Sequence, residues 1–493
     1  MLFNSMQFLV FFPIVVLVYF LVPVKIKHIW LLMASYYFYM CWNVEYACLL
    51  LTSTVVTYAA VMLMERIRSR KADTKGKKQE KLVFVCSLAV NLGMLFYFKY
   101  TNFALSLFSG LSKLFSVQWK IPEFDILLPV GISFYIFQSL GYMVDVYRGE
   151  EEPEKNFFRY ALFVSFFPQL VAGPIERSKN LLRQLAEPKR FDYVRVREGL
   201  LLMLWGFFLK MVIADRCAVL VNTVYENDMA YHGYQVIVAN VLFAFQIYCD
   251  FMGYSQIARG SAQVLGCNLM ENFRQPYLSR SIKEFWRRWH ISLSSWFRDY
   301  LYIPLGGSRC GKAVRYRNLM ITFLASGLWH GAGLSFIAWG GVHGLYQIVE
   351  EAVSPFFARF YERHCIDTEK FSWNILRTIR TFVLADIAWV FFRADSCRQA
   401  LRILKNSLEL SNTGMLLNDG LYQLGLSHRE MSILAAGLAV LAVYGLLRES
   451  GQNVMNWLSG QNIIFRYVAY WTAIVLITFS LNITGQEFIY FQF

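Results

Sequence analysis

From residue 318 to residue 349 the chain carries no aspartate, glutamate, lysine or arginine. A helix rises ~1.5 Å per residue and a bilayer's hydrocarbon layer is ~30 Å thick, so about 20 mostly apolar residues cross it. The same freedom from charge extends over residues 1–24, 46–64, 126–144, 229–249 and 467–486. Two shorter runs, 82–98 and 431–447, can span where the bilayer thins or flanking lysines snorkel. The length criterion predicts roughly ten to twelve membrane segments, transmembrane or re-entrant. The expected fold is therefore an all-α polytopic membrane protein. Composition agrees: 56% of residues are hydrophobic and 17% charged, whereas a soluble domain carries about a quarter charged residues. No large soluble domain is expected.

The first segment has neither a basic leader nor a small-residue cleavage site, so it reads as a retained anchor. Lys25 and Lys27 follow it, and the densest basic loop, residues 65–81, holds Arg66, Arg68, Arg70, Lys71, Lys75, Lys77, Lys78 and Lys81. With spans near 29–43 and 46–64 between them, both loops fall on one side, which the positive-inside rule makes cytoplasmic. The net charge of +14 then reflects topology and attraction to anionic headgroups. Nucleic-acid binding is not expected, because the charge is scattered between apolar blocks instead of forming one footprint. The nine cysteines form no CxxC pair, and several sit in apolar runs. They read as small hydrophobes, with no disulfide framework and no metal site expected.

The chain reads as one membrane-embedded domain over residues 1–493. Plain spans fill 1–150, a motif-bearing core fills 151–350, and further spans fill 351–493. The stretch 157–174 ends in Ala172-Gly173-Pro174, which suggests a helix stopping in or near the membrane. Residues 395–430 are mixed polar. No internal repeat of the transporter kind is evident.

Residues 281–305 place Ile282, Trp286, Trp289, Leu293 and Phe297 on one helical arc, opposite Glu284, Arg287, Arg288, Ser295 and Arg298. This is an imperfect amphipathic helix, expected at an interface or beside a protein-lined cavity. His290 lies at the edge of its apolar arc, either packed on aromatics or available for chemistry. Arg287 and Arg288 can meet the phosphates of a ligand or lipid headgroups.

His330 sits deep in the charge-free run, in Ser326-Gly327-Leu328-Trp329-His330-Gly331-Ala332-Gly333. An ionisable side chain there is costly and by default a functional hypothesis. Gly327 and Gly331 allow close helix approach and leave space beside the imidazole. The competing reading is a packing motif whose histidine bonds a neighbour. His343, on an unbroken helix, falls about 220° around from His330, so a joint site is not expected and His343 reads as structural. Asp250, closing the 229–249 run, can orient a histidine, bind an arginine or mark a span's edge. Residues 306–313 approach a P-loop, but Ala313 replaces the Mg²⁺-binding hydroxyl and no strand precedes it, so nucleotide hydrolysis is not supported. No G-x-S-x-G or HExxH occurs.

Five stretches resemble the membrane-bound O-acyltransferases. They are Asn272-Phe273-Arg274-Gln275-Pro276-Tyr277; Phe285-Trp286-Arg287-Arg288-Trp289-His290-Ile291-Ser292 continuing to Gly307; Pro129-Val130-Gly131-Ile132-Ser133-Phe134; Phe167-Pro168-Gln169 with Ala172-Gly173-Pro174; and the Trp-His-Gly stretch around His330. The ending Phe488-Ile489-Tyr490-Phe491-Gln492-Phe493 is similar to bacterial members, of the subgroup of alginate O-acetylation proteins.

The resemblance implies helices around a central tunnel, His330 as the catalytic histidine and His290 as the second one. It also implies a cytosolic acyl thioester donor such as acetyl-coenzyme A and no permanently bound cofactor. The acyl group would pass outward to a polysaccharide through an extracytoplasmic SGNH-type partner, in a bacterial cytoplasmic membrane. D-alanyl transfer to teichoic acid is the neighbouring reading, and a glycan transporter or flippase the reading from another class. Acyl transfer to a hydroxyl needs a base, and a buried imidazole with a pKa at or below ~6.5 is neutral and available.

Overall fold

The computed structural model describes the chain except residues 71–72, 115–123, 125, 172, 188, 411–412, 417, 482–487 and 490–493. Lys71, Ala172, the end of the expected 467–486 span, and Tyr490, Phe491, Gln492 and Phe493 lie outside the described residues. Among the described residues every regular element is helical. In order these are α1 (Met6–Leu21), α2 (Lys27–Met40), α3 (Val44–Arg70), α4 (Thr74–Leu114), α5 (Ile132–Tyr147), α6 (Phe157–Ser165), α7 (Phe167–Leu170), α8 (Ser178–Ala186), α9 (Tyr193–Phe207) and α10 (Asp215–Glu226). They continue with α11 (Tyr234–Val264), α12 (Ile282–Arg288), α13 (Ile291–Phe297), α14 (Lys312–His330), α15 (Leu334–Arg363), α16 (Phe371–Arg393), α17 (Cys397–Asn406), α18 (His428–Glu449), α19 (Val454–Ser459) and α20 (Ile463–Ser480).

Helices α3, α4, α11, α18 and α20 are long and apolar enough to cross a membrane. The protein is an all-α polytopic membrane protein. Several expected spans are shortened or broken where backbone chemistry demands it. The 126–144 run becomes helical only at Ile132, because Pro129 precedes it and Gly131 is left-handed at φ +76°. A Cβ on Gly131 would lie 2.6 Å from the Leu170 carbonyl oxygen, so only glycine fits there. The 157–174 stretch breaks before the expected stop at Ala172-Gly173-Pro174, at Phe166, into the short pieces α6 and α7.

The chain divides into two compact units. The first comprises Met1–Met203 with Ile257–Met270. Here the basic loop is tied down: Arg68 pairs with Glu80 and donates to the carbonyls of Val146 and Tyr147 at the end of α5. Near their unit-one ends α9 and α11 cross at two glycines. A Cβ on Gly260 would lie 2.4 Å from the Gly199 carbonyl oxygen.

The second unit comprises Leu204–Gln256 with Glu271–Phe493. A π-helical stretch, Phe208–Ala214, joins α9 to α10 and carries Lys210. The Lys210 ammonium lies 2.9 Å from Asp215 Oδ1 and 2.9 Å from Asp250 Oδ1, with all three side chains buried. Beside this cluster, Arg216 meets Glu430 at 2.7 Å and donates to Ser480 Oγ at 2.9 Å. Charges removed from water persist only when paired in this way.

Two single-helix expectations fail in this unit. The charge-free run 318–349 is interrupted by Gly331-Ala332-Gly333, so α14 ends at His330 and α15 starts at Leu334. Gly331 and Gly333 are fully extended, at φ −157° and −158°. The amphipathic segment 281–305 likewise splits at Trp289 and His290 into α12 and α13, then widens into a π turn at Arg298–Tyr302.

Candidate active site

The break after α14 decides where His330 goes. As the last residue of its helix it is 3% exposed, and its ring packs against Trp329, Trp339 and Phe392 with centroids 4.9, 5.0 and 5.3 Å away. The antiparallel hairpin of α14 and α15 is closed by glycines. A Cβ on Gly340 would meet the Phe323 carbonyl oxygen at 2.3 Å, and one on Gly327 would meet that of Phe336 at 2.2 Å. The space expected beside His330 at Gly331 is filled: the Phe336 ring lies 2.2 Å from where a Cβ would stand. The glycines therefore serve helix approach and aromatic packing instead of opening room for a ligand.

His290 reaches the same place from the break between α12 and α13. Its backbone is left-handed (φ +43°, ψ +54°), uncommon for a residue with a Cβ. Its ring lies edge-on to Phe251 at 4.6 Å and 6.3 Å from the His330 ring, centroid to centroid. That separation is too long for a direct hydrogen bond between the imidazoles and short enough for one polar atom to reach both. His290 belongs to none of the spanning helices. Burial lowers its imidazole to about 3, which keeps it neutral near pH 7.

His343 lies on α15, fully buried. Its Nδ1 accepts from Trp286 Nε1 at 3.2 Å, which leaves the ring proton on Nε2. Trp339 packs against His330 at 5.0 Å and against His343 at 5.2 Å, so one indole touches both of these histidines. Among the described residues no group of three or more histidine, cysteine or acidic side chains could hold a metal ion.

The two arginines sit differently. Arg287 is exposed. Arg288 is clamped between two carboxylates, Glu284 at 2.6 Å and Glu449, which accepts from both guanidinium nitrogens at 2.6 and 2.8 Å. These partners raise the Arg288 pKa further. Of the options left open for Asp250, the structure takes another: it pairs with Lys210, and its Oδ2 accepts from the Ile489 backbone N–H at 2.9 Å.

The sequence pattern does not single out Lys210, Asn272 or the contact of Trp339 with His330. A lone lysine in the apolar run Phe207–Ile213 was available as a signal; Asn272 offered none beyond its place in a quoted motif.

An all-helical membrane protein with two buried imidazoles, both delivered at helix breaks, has side chains suited to base-assisted group transfer. Residues 36–385 match the membrane-bound O-acyltransferase (MBOAT) family model. The chain belongs to that family and is an O-acyltransferase. It is 37% identical over 460 residues to a protein of Pseudomonas syringae pv. tomato named as a probable alginate O-acetylase, AlgI, covering 92% of this chain and 83% of that one. It is 34% identical to the peptidoglycan O-acetyltransferase of Helicobacter pylori, over 84% of this chain and 81% of the relative. The teichoic acid D-alanyltransferase of Bacillus subtilis is 27% identical over 49% of this chain and 63% of its own.

Proposed function

We propose that the enzyme takes acetyl groups from a cytosolic thioester, acetyl-coenzyme A, for O-acetylation of an exported polysaccharide at a bacterial cytoplasmic membrane. The observation that carries this reading is the pairing of His290 and His330, 40 residues apart in sequence, at 6.3 Å between ring centroids. His330 accepts the proton of the attacking hydroxyl as the new C–O bond forms. The C–S bond then breaks and the thiol leaves with a proton. His290 steadies the charge that develops on the carbonyl oxygen. Arg287, which is exposed, meets the phosphates of the donor, and Arg288 holds the end of α12 beside it. An SGNH-type extracytoplasmic acetyltransferase completes delivery to the glycan.

Acetyl is favoured over D-alanyl because relatives named for O-acetylation match 84–92% of the chain, against 49% for the D-alanyltransferase. The test is transfer of labelled acetyl from acetyl-coenzyme A in membranes containing wild-type protein or His330→Ala. A general base is typically worth about 10²–10⁴-fold, and a loss of that order is expected in membranes holding equal amounts of folded protein. Undiminished transfer by His330→Ala would overturn the assignment. Dependence on D-alanine instead of acetyl would move the cargo to the neighbouring reading.

A further inference from the structure

A left-handed backbone on a residue with a Cβ is sparsely populated and persists only when its surroundings over-determine it. At His290 the restraints on both sides come from one short segment. Upstream, the Arg274 N–H donates to the Arg288 carbonyl at 3.0 Å. Downstream, the Ile291 N–H donates to the Asn272 carbonyl at 3.0 Å. The Asn272 side chain then takes hold of the next residue. Its Oδ1 accepts from Ser292 Oγ at 2.6 Å and from the Ser292 N–H at 3.3 Å. Its Nδ2 donates to Ser255 Oγ on α11 at 3.1 Å. Asn272 is 2% exposed, Ser292 1% and Ser255 2%.

The clamp has a direction. Four residues before Ser255, on the same helix, Phe251 holds the His290 ring edge-on. One helix thus fixes the imidazole by ring packing and, through Asn272, the first turn of α13 by hydrogen bonding. An asparagine suits this place because its amide accepts from one element and donates to another in a single plane. Alanine would leave the Ser292 hydroxyl and N–H without that acceptor in a water-poor interior, and the His290 backbone would be free to leave the left-handed region.

We infer that Asn272 is a positioning residue for the acyl-transfer reaction, holding His290 against Phe251 and towards His330 by clamping Ser292 to Ser255. This rests on the placement of His290 in the site, so the experiment separates the two.

Full-length wild type, His290→Ala, Asn272→Ala, Asn272→Asp and Ser255→Ala are compared in membrane vesicles. Initial rates are followed against acetyl-coenzyme A concentration and normalised to folded protein by fluorescence-detected size exclusion. Asn272→Ala is expected to lower kcat by tenfold or more, with KM for the thioester within about twofold of wild type. Asn272→Asp keeps the oxygen that accepts from Ser292, and the Ser255 hydroxyl can turn to donate to it. It is expected to recover kcat to within about threefold.

Wild-type turnover by His290→Ala would remove the foundation. An inactive His290→Ala beside an Asn272→Ala with unchanged kcat would defeat the positioning role alone. Equal losses in the alanine and aspartate variants, or a loss confined to folded yield, would make Asn272 merely structural. If Asn272→Ala does not accumulate, Ser255→Ala decides the matter: a kcat loss of threefold or more at unchanged KM supports the clamp, and no loss refutes it.

Discussion

His290 is held neutral in a site that an unfolded chain would expose to water, and the consequence is a measurable proton linkage. An unfolded histidine titrates near 6.5, whereas burial lowers the folded imidazole to about 3. Well above pH 6.5 neither state binds the proton and this residue gives no pH dependence. As pH falls from 6.5 towards 3, only the unfolded state takes it up, so folded stability is lost progressively. Over the interval from pH 6.5 to 4 the loss is about 3 kcal/mol for this one residue. Thermal unfolding in detergent checks this: the wild type should lose more stability on acidification than His290→Asn, whose side chain tolerates the left-handed backbone and carries no proton. At this scale the sequence was readable where a residue was chemically out of place. His330 stood out as the imidazole in a charge-free run. Asn272 did not, because it acts on a serine 20 residues away, through a contact no local periodicity encodes.

The helical hairpin of α14 and α15 shows what periodicity can and cannot reveal. Its apolar character and its small residues were evident, and both are used. Its break was not evident, because Gly331-Ala332-Gly333 is as free of charge as the helices it separates, and hydropathy sees one run. The same holds for α12 and α13, whose amphipathic arc continues smoothly through His290 while the backbone does not. Both misreadings fall at the candidate site, where backbone irregularity delivers a side chain that a continuous helix would point elsewhere. The hairpin also makes a prediction. Gly340→Ala places a Cβ 2.3 Å from the Phe323 carbonyl oxygen, and backbone cannot swing aside as a flexible side chain does. The helices must separate, with a destabilisation of about 1–3 kcal/mol by the usual magnitude of overpacking. Because Trp339 lies against His330, acyl transfer per folded molecule should fall too. Gly341→Ala is the control, since its Cβ would meet only the Leu324 side chain at 3.6 Å.

Across the whole molecule the all-helical membrane class followed from the charge-free runs, while the buried ionic framework did not. Lys210, Asp215 and Asp250 are each nearly absent from the surface, and of the three hydropathy marks only Asp250, at the edge of an apolar run. Lys210→Met should destabilise the protein by about 3–5 kcal/mol, since it leaves two carboxylates buried without their cation. Replacing both aspartates with asparagine in that background should restore part of the loss. Unfolding by denaturant in a fixed detergent measures both, and a Lys210→Met protein as stable as wild type would count against the cluster's structural weight. The cluster also bears on how the chain is made. Arg216 finds its carboxylate at Glu430 and its hydroxyl at Ser480, 264 residues later. At a synthesis rate of about 5–20 residues per second, that interval is on the order of 15–50 s. For that time the segment around Arg216 has left the ribosome before its partners exist. It must wait at the insertion machinery or at the membrane surface, and its burial is complete only once α18 and α20 have emerged.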